Sequence, residues 1–308
     1  MHDMTDPTIS SLDGSPDMPG ISGRDITYSS GDGLRLYAAA YGREDARTAV
    51  LCMHGFTRNH KDFEPMISAV GSAYRFLAVD VRGRGRSDRD PTAASYAPPA
   101  YAADMVALLD QEKIEKVVLI GTSMGGVMSM ILSRMIPEKI AGIVLNDVGP
   151  EVNMDGLRRI GAYVGGGDTF ANWAEATAAV RATQESAVPG LSDADWEAFA
   201  RRTCVETDDG RIAFDYDPGI RVAFDQKPPG VRLQFLMWRI FGGMKKFPLL
   251  VVRGANSDIL TERTAARMMR RHKGAKLVTV AGRGHAPLLD EPEAVAAISA
   301  FLAAHAAD

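Results

Sequence analysis

The chain has 308 residues, of which 46% are hydrophobic and 24% charged, and its formal net charge is −4. This length suits one large α/β domain, or such a domain with an insertion. The slightly acidic balance, with both charge signs mixed along the chain, argues against nucleic acid as the main partner. The two cysteines, Cys52 and Cys204, lie far apart and provide no disulfide framework and no metal-ligand spacing.

Residues 1–23 are predicted to form a flexible tail. They are rich in Asp, Ser, Pro and Gly, and they lack the basic start and apolar stretch of a signal peptide. No run of about 18 apolar residues follows in the chain, which excludes a membrane span. Together these features predict a cytoplasmic protein.

Residues 24–150 and 247–308 are predicted to form an α/β core. Two strands at 24–30 and 34–41 flank a Gly-Asp-Gly turn and indicate a β-hairpin. Strands then alternate with helices, which predicts a mostly parallel eight-stranded sheet with helices on both faces. The further strands are expected at 48–54, 75–80, 116–120, 140–147, 247–254 and 275–280, and the helices at 60–70, 99–111, 125–136, from 261 and from 291.

The alternation stops between residues 151 and 246, where the chain looks largely helical. This stretch is predicted to be a helical cap inserted into the core, with Ser192 as a helix N-cap. It contains the three tryptophans, Trp173, Trp196 and Trp238. Trp238, near the return to the core, is the candidate substrate-binding residue, although aromatic residues at helical spacing more often belong to a core.

A Gly-x-Ser-x-Gly pentapeptide, Gly121-Thr122-Ser123-Met124-Gly125, directly follows a predicted strand and precedes a predicted helix. This arrangement exposes a serine hydroxyl at a sharp strand-to-helix turn, close to the positive end of the helix dipole. Glycine is expected at both ends of the motif because the turn packs too tightly for a Cβ atom. Ser123 is therefore the candidate nucleophile.

A reactive serine needs a base and a group that orients the base. His285 is the candidate base because it lies in a Gly-rich loop between the last strand and the last helix. Asp258, just beyond a buried strand, is the preferred orienting acid, and Asp147, at the end of another strand, is the alternative. Functional groups gather at the carboxyl ends of the strands in such sheets, and both acids qualify.

Acyl transfer also requires donors for the developing oxyanion. The backbone amides of Met124, directly after the nucleophile, and of Phe56, in the loop after an early strand, are the candidates. Gly55 allows that loop to approach a substrate closely. His54, at the end of the same strand, is interpreted as a structural hydrogen-bonding residue.

On these residues the chain resembles the α/β-hydrolase superfamily, in the form that carries a cap domain. The resemblance covers residues 24 to 305 apart from the cap, and rests on His54-Gly55, the run from Asp80 to Ser87, the Ser123 motif, Asp258 and Gly284-His285. It implies the order nucleophile, acid, base along the chain. The run from Asp80 to Ser87 is interpreted as a buried strand that ends in a glycine turn with solvated arginines.

The resemblance implies a serine hydrolase that cleaves a carboxylic ester or lactone with water, without a cofactor or metal. Haloalkane dehalogenases and epoxide hydrolases have Asp where this chain has Ser123. Carbon–carbon bond hydrolases usually show Asn and Trp at the positions of Thr122 and Ala286, yet such an activity, or enol-lactonase activity, stays open as an alternative. A third alternative is a ligand-binding receptor of the same fold.

Overall fold

The computed structural model describes residues 21–167, 169–225 and 230–307. The predicted tail at residues 1–23 lies outside the described residues except for its last three. There Ile21 is buried and Gly23 begins the first strand.

Eleven strands are found among the described residues, and eight of them form one sheet in the order β1-β2-β4-β3-β5-β6-β10-β11. The first two strands pair antiparallel, β2 pairs antiparallel with β4, and the remaining pairs are parallel. The predicted sheet is therefore confirmed. The strands are β1 (Gly23–Ser29), β2 (Arg35–Gly42), β3 (Thr48–Met53), β4 (Arg75–Asp80), β5 (Lys116–Thr122), β6 (Ile140–Asn146), β7 (Thr169–Phe170), β8 (Cys204–Glu206), β9 (Ile212–Phe214), β10 (Leu249–Gly254) and β11 (Lys276–Val280).

The helices of the core begin and end close to the predicted positions. Helix α1 is preceded by a 3-10 turn at His60–Phe63. The α-helices are α1 (Glu64–Val70), α2 (Pro98–Gln111), α3 (Met124–Met135), α4 (Met154–Tyr163), α5 (Trp173–Gln184), α6 (Asp193–Thr203), α7 (Val222–Asp225), α8 (Val231–Gly243), α9 (Glu262–Arg271) and α10 (Pro292–His305). Among the described residues, no helix is both long and apolar enough to cross a bilayer.

The central strands are buried on both faces, which explains their nearly continuous apolar sequences. Alternate residues of β3 enter different clusters: Leu51 and Met53 pack with α2 and α3, whereas Val50 and Cys52 pack with α1 and α10. Burying both faces of the sheet in this way fixes its register, because a shift by one residue would exchange the two sets of side chains.

The predicted cap stretch, residues 151–246, contains strands that the sequence did not predict. Besides α4 to α8 it holds a small antiparallel sheet in the order β7-β9-β8. These strands have only two or three residues each, too few for a period-2 pattern to appear in the sequence. Ser192 caps α6 through a capping box, as predicted. Trp196 is buried in a hydrophobic cluster that α5, α6 and these strands form, and Trp173 packs against it.

Candidate active site

Ser123 lies at the turn between β5 and α3, in a backbone conformation that L-amino acids rarely adopt. Its φ and ψ angles are 51° and −110°. Such strain persists only where the surrounding structure holds it, and it is common at functional sites. A Cβ atom on Gly121 would come within 2.3 Å of the Gly125 carbonyl oxygen, and one on Gly125 within 2.0 Å of the Met53 oxygen. The two glycines of the motif are therefore required by close packing.

His285 lies between the hydroxyl of Ser123 and the carboxylate of Asp147. Its Nε2 atom is 2.8 Å from Ser123 Oγ, and its Nδ1 atom is 2.7 Å from Asp147 Oδ2. The carboxylate can only accept, so Nδ1 carries the proton and Nε2 is free to accept the Ser123 hydroxyl. The Asp147 side chain is fully buried and that of His285 is 7% exposed. The geometry is that of a nucleophile, a base and an orienting acid.

Asp258, which the sequence favoured as the orienting acid, does not contact the imidazole. Its carboxylate accepts two hydrogen bonds from Arg159 in α4, at 2.6 and 2.8 Å, and this pairing lowers its pKa. The neighbouring Ser257 takes the inward position instead and donates to Asp147 Oδ2 at 2.6 Å. The structure thus brings the alternative, Asp147, to His285. Both acids follow neighbouring strands, β6 and β10, so strand ends alone could not separate them.

Two residues that sequence reasoning missed hold this arrangement in place. Ser257 donates to Asp147, and its Oγ accepts the backbone amides of Ile259 and Leu260, which fixes the loop after β10. Asn146, at the end of β6, donates at 2.8 Å to the carbonyl oxygen of Pro287, two residues after the imidazole. Their sequence signal is weak because Ser and Asn are common in loops and at strand ends.

The proposed oxyanion donors belong to the start of α3 and to the loop after β3. Met124 is the first residue of α3, where an amide has no acceptor within its own helix. Phe56 lines the same cavity as Ser123 and His285. Its ring packs edge-on against Phe224 of α7, with the centroids 5.0 Å apart. The two amides thus belong to the helix start and the loop that the sequence singled out.

The arginines after β4 are not all solvated, contrary to the sequence interpretation. Arg82 and Arg84 are 2% and 1% exposed, and only Arg86 reaches the surface. Arg82 is buried because Asp104 and Asp32 pair with its guanidinium. Arg84 turns inward among aromatic rings and contacts the loop of Phe56.

The cavity at Ser123 holds about 720 Å³ of empty space, part of it open to solvent. The core contributes Phe56, Arg58 and Leu288 to its walls, and the predicted cap stretch contributes Ile160 and Phe199. Trp238, predicted to bind substrate, is not among the lining residues. Its indole donates to Glu151 at 3.1 Å and packs against the guanidinium groups of Arg267 and Arg271. It is therefore a packing residue between α8 and α9.

His54 has the structural role that the sequence indicated. Its ring is fully buried; Nδ1 is 2.6 Å from the Gly55 carbonyl oxygen, and Nε2 accepts the backbone amide of Val81 at 3.1 Å. This pattern requires the neutral ring. Burial lowers the pKa of His54 to about 4. His54 thus joins the start of the Phe56 loop to the end of β4.

Comparison with known proteins identifies the family of this chain. A model described as the alpha/beta hydrolase family matches residues 50–298. A 3-hydroxybutyrate-oligomer hydrolase from Cupriavidus necator is 35% identical over 257 residues, which covers 82% of this chain and 87% of the relative. The chain belongs to the α/β-hydrolase family.

Further relatives of this α/β hydrolase are similar over most of their length. A crystal structure of an α/β hydrolase from Novosphingobium aromaticivorans superposes with a TM-score of 0.85 at 43% identity, covering 91% of this chain and 98% of that one. Esterase YbfF from Escherichia coli is 25% identical over 85% of this chain and 95% of its own. No group of three or more His, Cys, Asp or Glu side chains in the described part of the chain could hold a metal ion.

The neutral state of His54 predicts a pH dependence of stability. Its folded pKa is about 4, below the ordinary value of 6.5, so between these values the unfolded chain binds a proton that the folded chain does not. The free energy of unfolding should therefore fall by up to about 3 kcal/mol from this group as the pH drops from 6.5 to 4. We expect urea unfolding of His54→Asn to show a smaller slope against pH than the wild type. Equal slopes would contradict the neutral assignment.

Proposed function

We propose that this α/β hydrolase cleaves carboxylic esters through an acyl-enzyme on Ser123. The observation that carries the proposal is the continuous hydrogen-bond chain from Ser123 Oγ through the His285 ring to Asp147, at 2.8 and 2.7 Å. A buried carboxylate behind the imidazole keeps the proton on Nδ1 and stabilises the imidazolium that forms during catalysis. The open cavity beside Ser123 offers space for an acyl group.

In the proposed cycle, His285 Nε2 takes the proton of the Ser123 hydroxyl as Oγ attacks the ester carbonyl carbon. The carbonyl oxygen becomes an oxyanion, which accepts hydrogen bonds from the amides of Phe56 and Met124. The imidazolium then gives its proton to the leaving alkoxide, the ester C–O bond breaks, and the alcohol departs. Water repeats the sequence on the acyl-enzyme, which releases the acid and restores the serine.

Short oligomers of 3-hydroxybutyrate are the substrates that we propose to test first. The support is the Cupriavidus necator relative, whose name gives that activity and which aligns with most of this chain. Such molecules are chains of hydroxyacid esters, so their cleavage uses the cycle given above. Lactones, vinylogous diketones and enol-lactones belong in the same substrate panel, because they represent the other chemistries open to a serine of this kind.

Removal of the nucleophile is the primary test. We expect Ser123→Ala to lower the turnover of nitrophenyl butyrate by at least about 10³-fold while the melting temperature stays near that of the wild type. The lost group is a single oxygen at a position already fixed by packing. Wild-type turnover in this variant would refute the acyl-enzyme.

The position of the two acids predicts different effects of matched substitutions. Asp147→Asn should lower kcat by at least about 100-fold, because the amide favours the wrong imidazole tautomer. Asp258→Asn should keep kcat within a few-fold, since this carboxylate pairs with Arg159. The steady-state kcat of each variant on nitrophenyl butyrate decides which of the two acids orients His285. The reverse order of effects would assign the acid to residue 258.

The cavity walls predict which cap residue controls acyl length. Ile160 of α4 lines the cavity, so Ile160→Ala should raise the rate ratio of nitrophenyl decanoate to acetate by about threefold or more. Trp238→Ala is the control: it removes buried packing outside the cavity and should lower the melting temperature without changing that ratio. A changed ratio in the Trp238 variant alone would contradict the cavity assignment.

A further inference from the structure

The guanidinium of Arg84 contacts both residues whose amides are the proposed oxyanion donors. Its Nε atom donates to the carbonyl oxygen of Phe56 at 3.0 Å, and its Nη2 atom lies 3.9 Å from the sulfur of Met124. The side chain is 1% exposed and does not line the cavity. Arg84 therefore lies behind the proposed oxyanion site and does not itself reach the substrate.

This buried cation has no carboxylate partner among the described residues. Its remaining bonds go to neutral groups, the Arg82 carbonyl oxygen at 2.8 Å and the Tyr101 hydroxyl at 3.1 Å. The rings of Phe56, Tyr96 and Tyr101 surround it, with centroids 5.0 to 5.6 Å from its Cζ atom. Burial of an unpaired charge is costly, and aromatic faces repay only a part of that cost.

A buried cation that no described carboxylate contacts directly has a stronger field than one in water, because solvent screens it little. The acids near Arg84 in the described part of the chain bond to other groups. Asp80, the buried acid closest in sequence, is already bonded to the ring and amide of His60 and to the amide of Arg86. Arg82, by contrast, is neutralised by Asp32 and Asp104. Among the described residues, Arg84 is thus the cation of this turn that no carboxylate contacts directly.

We propose that Arg84 is a positioning residue for the oxyanion site. It holds the Phe56 loop through the carbonyl group of the donor residue, and it places a fixed positive charge behind the point where the oxyanion forms. This inference rests on the acyl-transfer function proposed above. Preorganised charge and donors of this kind act on the transition state more than on the bound ester, so they change kcat more than KM.

A purely structural role for the same turn involves other atoms. Backbone hydrogen bonds connect the turn to the predicted cap. The Gly85 amide donates to the Asp215 carbonyl oxygen, and the Asp217 amide donates to the Gly83 carbonyl oxygen. Substitution of the Arg84 side chain leaves these bonds in place. Arg86, in the same turn, provides a matched control, because its guanidinium pairs with Asp25 at the surface and does not contact the Phe56 loop.

The test compares Arg84→Met, Arg84→Lys and the control Arg86→Met. For each variant, kcat and KM on nitrophenyl butyrate are measured together with the inhibition constant of an aryl trifluoromethyl ketone, whose serine adduct carries an oxyanion. We expect Arg84→Met to lower kcat by at least about tenfold, to leave KM within twofold and to weaken the ketone by a similar factor. Arg84→Lys should be intermediate, and Arg86→Met should resemble the wild type.

The outcomes separate this inference from the proposed function. A wild-type protein that cleaves no ester would refute the acyl-enzyme itself. An active wild type with unchanged kcat and ketone affinity in Arg84→Met would overturn the role of Arg84, and so would a lower kcat with unchanged ketone affinity. If Arg84→Met does not fold, Arg84→Lys decides, because its single ammonium group cannot replace all the bonds of the guanidinium. Wild-type kcat and ketone affinity in that variant would also overturn the inference.

Discussion

The imidazole of His285 is held between a carboxylate and a hydroxyl that lie 138 and 162 residues earlier in the chain. The arrangement depends on the parallel sheet, because Ser123 follows β5, Asp147 follows β6, and His285 lies in the loop after β11. Since the carboxyl ends of parallel strands meet at one edge, side chains from three distant segments come into contact there. The bond from Nδ1 to Asp147 sets the tautomer, and the tautomer decides whether Nε2 can accept the serine proton.

Rigid local structure supports each of these groups. The strained backbone at Ser123 is held by close contacts of Gly121 and Gly125, and Asp147 is fixed by the Gly254 amide and the Ser257 hydroxyl. The Phe56 loop is tied at its start by His54 and from behind by Arg84. In the proposed cycle, preorganisation of this kind would let the two amides stabilise developing charge without first reorganising.

The sequence predicted the elements whose signals are local. Strands buried on both faces read as apolar runs, and the Ser123 motif requires glycine for steric reasons that hold in any chain. The predictions that were wrong depended on contacts between segments far apart in the chain. Asp147 and Asp258 both follow buried strands, and only the side-chain contacts of Ser257 and Arg159 separate them. The burial of Arg84 depends on aromatic rings from distant segments, and Trp238 faces Arg267 because of how α8 packs.

The most direct measurement of the central claim is peptide mapping by mass spectrometry after the protein reacts with a fluorophosphonate, in the wild type and in His285→Gln. The account predicts one phosphonate per chain, on the peptide that contains Ser123, and strongly slowed labelling in the His285 variant. A label on another residue, or equal labelling rates in the two proteins, would contradict a serine made reactive by this imidazole.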